Sequence, residues 1–82
     1  MRNRRPFALI ETHVGGAVRV FLKNGWSVSG ALAGVDPYMN ILLEEAVLQE
    51  RENKSEYPYV LVRGSSVLYV VLEAAENGGK GG

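Results

Sequence analysis

The sequence predicts a small, mainly β domain: a five-stranded, strongly bent antiparallel barrel with one short N-terminal helix over its mouth. Three features predict it. The apolar period changes from helical to two at Ala17. An Asn24-Gly25 step then separates two alternating runs, the strongest short-range sign of a hairpin. The second of those runs carries Gly30 and Gly34 on the face of Val28 and Leu32, so this strand can coil sharply.

The chain has 82 residues, enough for one domain with a modest core. Domains of this size are usually reinforced by disulfides, a metal or partner subunits. There is no cysteine, and His13 is the only histidine, so thiolate and histidine-rich metal sites are excluded. Oligomerisation is the remaining reinforcement. No apolar run approaches the roughly 18 residues that span a membrane. The basic start, Met1-Arg2-Asn3-Arg4-Arg5, precedes no long apolar stretch. A secretory leader is therefore not expected, and a cytoplasmic location is. Nine basic residues balance nine acidic ones. That balance argues against broad electrostatic coating of nucleic acid, so any such binding has to come from a local site.

Taken in order, residues 1–5 form a basic arm whose arginines are either solvated or in contact with phosphate. Residues 6–13 read as a helix. Pro6 suits its first turn, Phe7, Ile10 and Val14 form one stripe, and Gly15-Gly16 ends it. His13 falls in the last turn, where a cation suits the helix dipole, and no nucleophile or acid nearby supports a catalytic role. Residues 17–23 form a half-buried strand, with Phe21 the apolar exception on its polar face. Residues 26–35 and 38–50 form two longer strands, the second interrupted by Glu44 and Glu45. The polar, mixed-charge stretch 49–58 reads as an exposed connecting loop. Residues 59–62 and 67–72 are short β runs, apolar on both faces, so something must cover their second face or pair with their edges. Hairpin-like turns can connect all five strands. The domain is expected over residues 6–74, with 75–82 a flexible, glycine-rich tail.

Two turns concentrate chemistry. Asp36-Pro37-Tyr38-Met39-Asn40 sets a carboxylate, a ring and a carboxamide around one proline, and Arg63-Gly64-Ser65-Ser66 lies between the last two strands. Asp36 and Asn40 either cap a turn or line a binding site. Arg63 is either an interface ion-pair residue or part of that site, and Tyr38 either packs or stacks on a ligand. Met39, by alternation, points the other way, into the core. No nucleophile–base pair, metal set or phosphate loop is visible, and Asp36 is the only aspartate. An enzyme is therefore not expected, and neither is a cofactor.

These residues carry a family resemblance. Residues 16–49 resemble the Sm1 motif of Sm and Sm-like (LSm) proteins through Asn24-Gly25, Gly30, Gly34 and Asp36-x-x-Met39-Asn40. Residues 59–72 resemble the Sm2 motif, with its Arg63-Gly64 step and apolar flanks. That step looks like the archaeal and eukaryotic branch, since the lysine- and histidine-containing second motif of the bacterial Hfq branch is absent. With little beyond the core, the chain resembles a stand-alone archaeal Sm-like protein.

The resemblance implies the Sm fold, a helix on an SH3-like barrel. It also implies rings, most often homoheptamers in archaea, in which strand four of one subunit pairs with strand five of the next. It implies single-stranded, uridine-rich RNA as partner, with a role as RNA scaffold or chaperone in RNA processing and no membrane or small-molecule substrate. Carried over, Asn40 reads the base edge, Tyr38 and Arg63 stack on its faces, and Asp36 orients Asn40 or Arg63. Gly64 allows close approach, and its N–H is available to assist. The alternative is a structural or protein-interaction ring with little RNA binding of its own, which acidic Glu44, Glu45, Glu50 and Glu52 favour.

Overall fold

Pro6 opens a helix that stops earlier than its apolar stripe suggests. The computed structural model describes residues 6–74; the basic arm and the glycine-rich tail lie outside them. Helix α1 spans Pro6–Glu11, followed by β1 (Ala17–Leu22), β2 (Ser27–Val35), β3 (Ile41–Glu50), β4 (Asn53–Val62), a 3-10 turn (Gly64–Ser66) and β5 (Val67–Leu72). Ile10 is the buried residue of α1, and covering it contributes about 1.5–3 kcal/mol. Val14 does not join the stripe: it is 50% exposed, in the turn that follows the helix. His13 also lies beyond the last helical residue, not in the last turn. Its Nε2–H donates to the Ala17 carbonyl at 3.1 Å, tethering the start of β1. The helix is short because the chain must turn at once to pair with β2, where Gly15 N–H donates to Leu32 O and Leu32 N–H to Gly16 O, each at 2.8 Å.

The five strands form one antiparallel sheet in the order β4-β3-β2-β1-β5. The two edges are thus β4 and β5, although only Arg63 and the 3-10 turn separate them in sequence. So short a connection reaches across a few residues of extended chain at most. The sheet must therefore curl until its two edges face each other, and the result is an open barrel. Consecutive strands from β1 to β4 are joined by turns, but the β4–β5 connection crosses the gap and is not a hairpin. The inward residues Val18, Val20, Val28, Leu32, Ile41, Leu43, Ala46 and Val62 join Ile10 in the core.

The curl is concentrated where β2 meets β3. Ile41 and Leu43 are buried, Glu44 and Glu45 are both exposed, and burial resumes at Ala46. Against β2, β3 carries one extra residue here: Ser29 pairs with Val47 and Ala31 with Glu44, so two steps on β2 face three on β3, and Glu45 has the left-handed φ of 49°. This is a β-bulge, which bends the strand and increases its twist. Pro58 lies opposite it, at the point in edge strand β4 where a missing N–H breaks no ladder. Gly30 in β2 is required there, because a Cβ would lie 2.7 Å from the Glu44 carbonyl oxygen. Gly34 flanks a second register shift, between Leu32 and Gly34.

The stretch 49–58 is not a loop. β3 runs to Glu50, two residues turn, and β4 begins at Asn53, with Gln49 opposite Lys54 and Glu50 opposite Asn53. This end of the hairpin extends past the core and is largely exposed, so no apolar alternation marks it. Phe21 is accounted for within the chain. It lies opposite Tyr69 on β5, and the rings stack at 4.7 Å and 28°, worth about 0.5–1.5 kcal/mol beyond the area buried.

Candidate nucleic-acid interface

Asp36 organises the β2–β3 turn. Its Oδ1 accepts from the Tyr38 N–H at 2.9 Å and the Asn40 N–H at 3.0 Å, and its Oδ2 accepts from Asn40 Nδ2 at 2.9 Å. The turn is closed further by Met39 N–H donating to the Asp36 carbonyl and Asp36 N–H to that of Asn40. Hydrogen bonds from the Asn40 side chain first, then from its backbone N–H, hold the Asp36 carboxyl below its ordinary pKa of 3.8; desolvation acts the other way, and the Tyr38 N–H adds the smallest lowering. Asp36 thus does cap a turn, and in doing so it orients Asn40. Among the described residues its side chain makes no bond to Arg63.

The second turn meets the first through Gly64, whose N–H donates to Asn40 Oδ1 at 2.7 Å. A Cβ on Gly64 would overlap the Tyr38 carbonyl oxygen and lie 3.1 Å from Met39 C, so only glycine allows this approach. The sequence expectation left the Gly64 N–H free for a base, but here it is engaged with Asn40. The resulting chain of bonds fixes the carboxamide orientation. The Asp36 carboxylate only accepts, so Nδ2 faces it, and the Gly64 N–H only donates, so Oδ1 faces it. One Nδ2 hydrogen and one Oδ1 lone pair remain uncommitted.

Tyr38 is 81% exposed at the tip of the first turn, and Arg63 is exposed beside Gly64. The backbone contact between Gly64 and Tyr38 brings their two residues to the same end of the barrel. All five sequence-predicted residues therefore gather there: Asp36, Asn40 and Gly64 as a bonded unit, Tyr38 and Arg63 as exposed neighbours. Met39 is half-buried against the core as alternation predicts, but at a left-handed φ of 67° that nothing in the sequence signals.

A model of the LSM domain matches residues 8–72. The chain belongs to the Sm-like family. This Sm-like chain is 38% identical over 69 residues to a putative snRNP Sm-like protein of Thermoplasma acidophilum, covering 83% of each. Among solved structures it resembles the Sm protein of Pyrococcus abyssii in complex with a uridine heptamer, at 28% identity and a TM-score of 0.79, covering 85% of this chain and 100% of that one. It also resembles the SmAP1 heptamer of P. aerophilum, at 26% identity and a TM-score of 0.80, covering 90% of this chain and 100% of the other. Each of the two Sm-like motifs read from the sequence contains one of the two turns joined by the Asn40–Gly64 bond.

Proposed function

We propose that this Sm-like protein assembles into a homo-oligomeric ring, a heptamer as in P. aerophilum SmAP1, and binds single-stranded, uridine-rich RNA as a scaffold or chaperone in RNA processing. The observation that carries the proposal is the pinned Asn40 carboxamide. Its remaining donor and acceptor suit the carbonyl oxygen and N3–H of uracil. Cytosine offers the reverse order, an N3 acceptor beside an amino donor. To pair with cytosine the carboxamide would have to flip, and a flip places Nδ2 against the Gly64 N–H and Oδ1 against the Asp36 carboxylate. Uridine is preferred because the site cannot invert at acceptable cost. The exposed Tyr38 ring and the Arg63 guanidinium supply the two faces of a stack, and RNA with free bases can enter it.

Ring formation follows from the edges. β4 presents Tyr59 and Leu61 outward, and β5 presents Leu68, Tyr69 and Val71, all more than two-fifths exposed. Such apolar edges invite pairing, and a closed ring of β4-to-β5 contacts satisfies both without leaving an open end. Repetition of one weak pocket then supplies affinity that a chain of zero net charge lacks. A non-enzymatic, cytoplasmic role is part of the same proposal.

Native mass spectrometry with and without a short oligo-uridine tests it. The expected result is a ring near seven subunits that takes up oligo-uridine, with tighter binding of oligo-uridine than of oligo-cytidine. A monomer at high concentration, or equal binding of all homopolymers, would sink it.

A further inference from the structure

Arg63 borders a second cavity of about 430 Å³, lined among others by Lys23, Trp26, Val28, Val62 and Ser66. Its exposed members are the cationic Lys23 and Arg63, the polar Asn24, Ser65 and Ser66, and the apolar Leu61, while Val28 and Val62 belong to the buried core and Trp26 is half-buried. Among the described residues no carboxylate lines it. The parts are held in place by the backbone. Lys23 N–H donates to the Ser66 carbonyl at 3.0 Å, joining the β1–β2 turn to the 3-10 turn beside the base site. Trp26 is fixed on both of its backbone groups: its N–H donates to Asn24 Oδ1 at 2.9 Å, and its carbonyl accepts from Leu22 N–H at 2.9 Å.

We infer that this cavity is a second nucleotide subsite in each protomer, in which the Trp26 indole stacks on a base and Lys23 meets its phosphate. The inference rests on the RNA-binding reading above and extends it. A flat ring over an apolar floor takes the face of a base, and a rim of cations without acids takes a phosphate. Arg63 is shared, so one strand can pass from the Asn40 site to the Trp26 site without leaving the surface. No carboxamide here is pinned on both its donor and its acceptor as Asn40 is. The subsite therefore grips by stacking and charge and is indifferent to base identity, whereas the Asn40 site selects. The other candidate occupant is an apolar side chain of a neighbouring copy. Leu61 at the border of the cavity is also a residue of the proposed ring edge, whereas Lys23 and Arg63 on the rim favour a nucleotide, and the test below separates the two.

Trp26 is the only tryptophan, so its emission reports on this cavity alone. The assembled full-length chain is titrated with labelled oligo-uridine while RNA anisotropy and Trp26 emission are followed together. The expected result is quenching of Trp26 in step with the rise in anisotropy. Trp26→Ala weakens binding about fivefold or more and Trp26→Phe restores most of it, since stacking tolerates any ring. Lys23→Ala, at an exposed position, weakens binding of every homopolymer alike and lowers the salt dependence. Thermal unfolding and native mass identify any variant that fails to fold or assemble, in which case the Lys23 variant decides. The inference is overturned if RNA raises the anisotropy while Trp26 emission is unchanged and Trp26→Ala and Lys23→Ala bind like the parent. It is equally overturned if emission shifts on assembly and ignores RNA, which would place a neighbouring copy in the cavity. In both cases the Asn40 reading survives; absence of any anisotropy change removes both.

Discussion

The Gly64 nitrogen and Asn40 Oδ1 lie 2.7 Å apart across 24 residues of chain, and among the described residues this bond alone ties the two turns side chain to backbone. Asn40→Ala removes the acceptor and leaves a partly buried N–H without its partner, at a cost of about 1–3 kcal/mol. The expected outcome is a lower melting temperature with the barrel retained, and loss of the preference for oligo-uridine over oligo-cytidine. Circular dichroism melts and competition between homopolymers check the two parts separately.

Gly64→Ala is expected to act harder than its size suggests. The new methyl meets backbone, the Tyr38 carbonyl and Met39 C, which cannot move aside as a flexible side chain would. Overpacking of this kind costs about 1–3 kcal/mol. It also pushes the turns apart, so RNA affinity falls although no contacting side chain has changed. The same substitution at Gly34, where a Cβ meets nothing within 4 Å, is the control and should leave RNA affinity intact.

The sequence showed where the site would lie more clearly than how it is held. Asn24-Gly25, Gly30 and the Asp36–Asn40 turn are local signals, and each appears in the structure where the pattern placed it. The stretch 49–58 misled because its strand is kept by ladder bonds and not by burial, so its polarity resembles that of a loop. The bulge at Glu45 was written in the sequence as a slip of phase, with Ile41 and Leu43 on one parity and Ala46 and Leu48 on the other. Two adjacent glutamates at the slip looked like an interruption. The Gly64–Asn40 bond was not legible, since no spacing rule links residues so far apart. Nor was the left-handed backbone at Met39, which a long apolar side chain ordinarily avoids.

Asp36→Asn tests the electrostatics of the turn. The folded carboxyl has a pKa below 3.8 because Asn40 and Tyr38 hydrogen-bond its charged form. The stabilisation is therefore complete above the unfolded value and is lost as pH falls through the lower, folded one. Within that acid window the unfolded chain binds more protons, so stability should rise with pH, and Asp36→Asn should flatten this slope. At neutral pH the variant sets an amide NH₂ against Asn40 Nδ2, so uridine preference should fall as well. Urea melts across the acid range, paired with binding at neutral pH, report both effects.

Tyr38 separates binding from folding. At 81% exposure its ring contributes little to the barrel, and Tyr38→Ala should change stability by no more than about 0.5 kcal/mol. Loss of a base–aromatic stack should nevertheless weaken each site by roughly 1–3 kcal/mol. Tyr38→Phe keeps the ring and should keep the affinity. If Tyr38→Ala binds oligo-uridine like the parent while remaining folded, the ring is not part of the stack.

The edges make the last prediction. Leu61 on β4 and Leu68 on β5 are 61% and 59% exposed, on opposite borders of one curled sheet. A lysine at either position costs the isolated barrel little, because neither side chain belongs to its core. In a ring the same lysine is carried into an apolar contact without a partner, where an unpaired charge is strongly unfavourable. Leu68→Lys should therefore shift the mass from ring to monomer while the circular dichroism spectrum stays unchanged. RNA affinity should fall with it by about 10²–10⁴-fold, the avidity lost when sites no longer share one strand. Leu61→Lys should do the same from the other edge, since each contact uses one of each. A Leu68→Lys protein that stays assembled would show that β5 is not a ring edge.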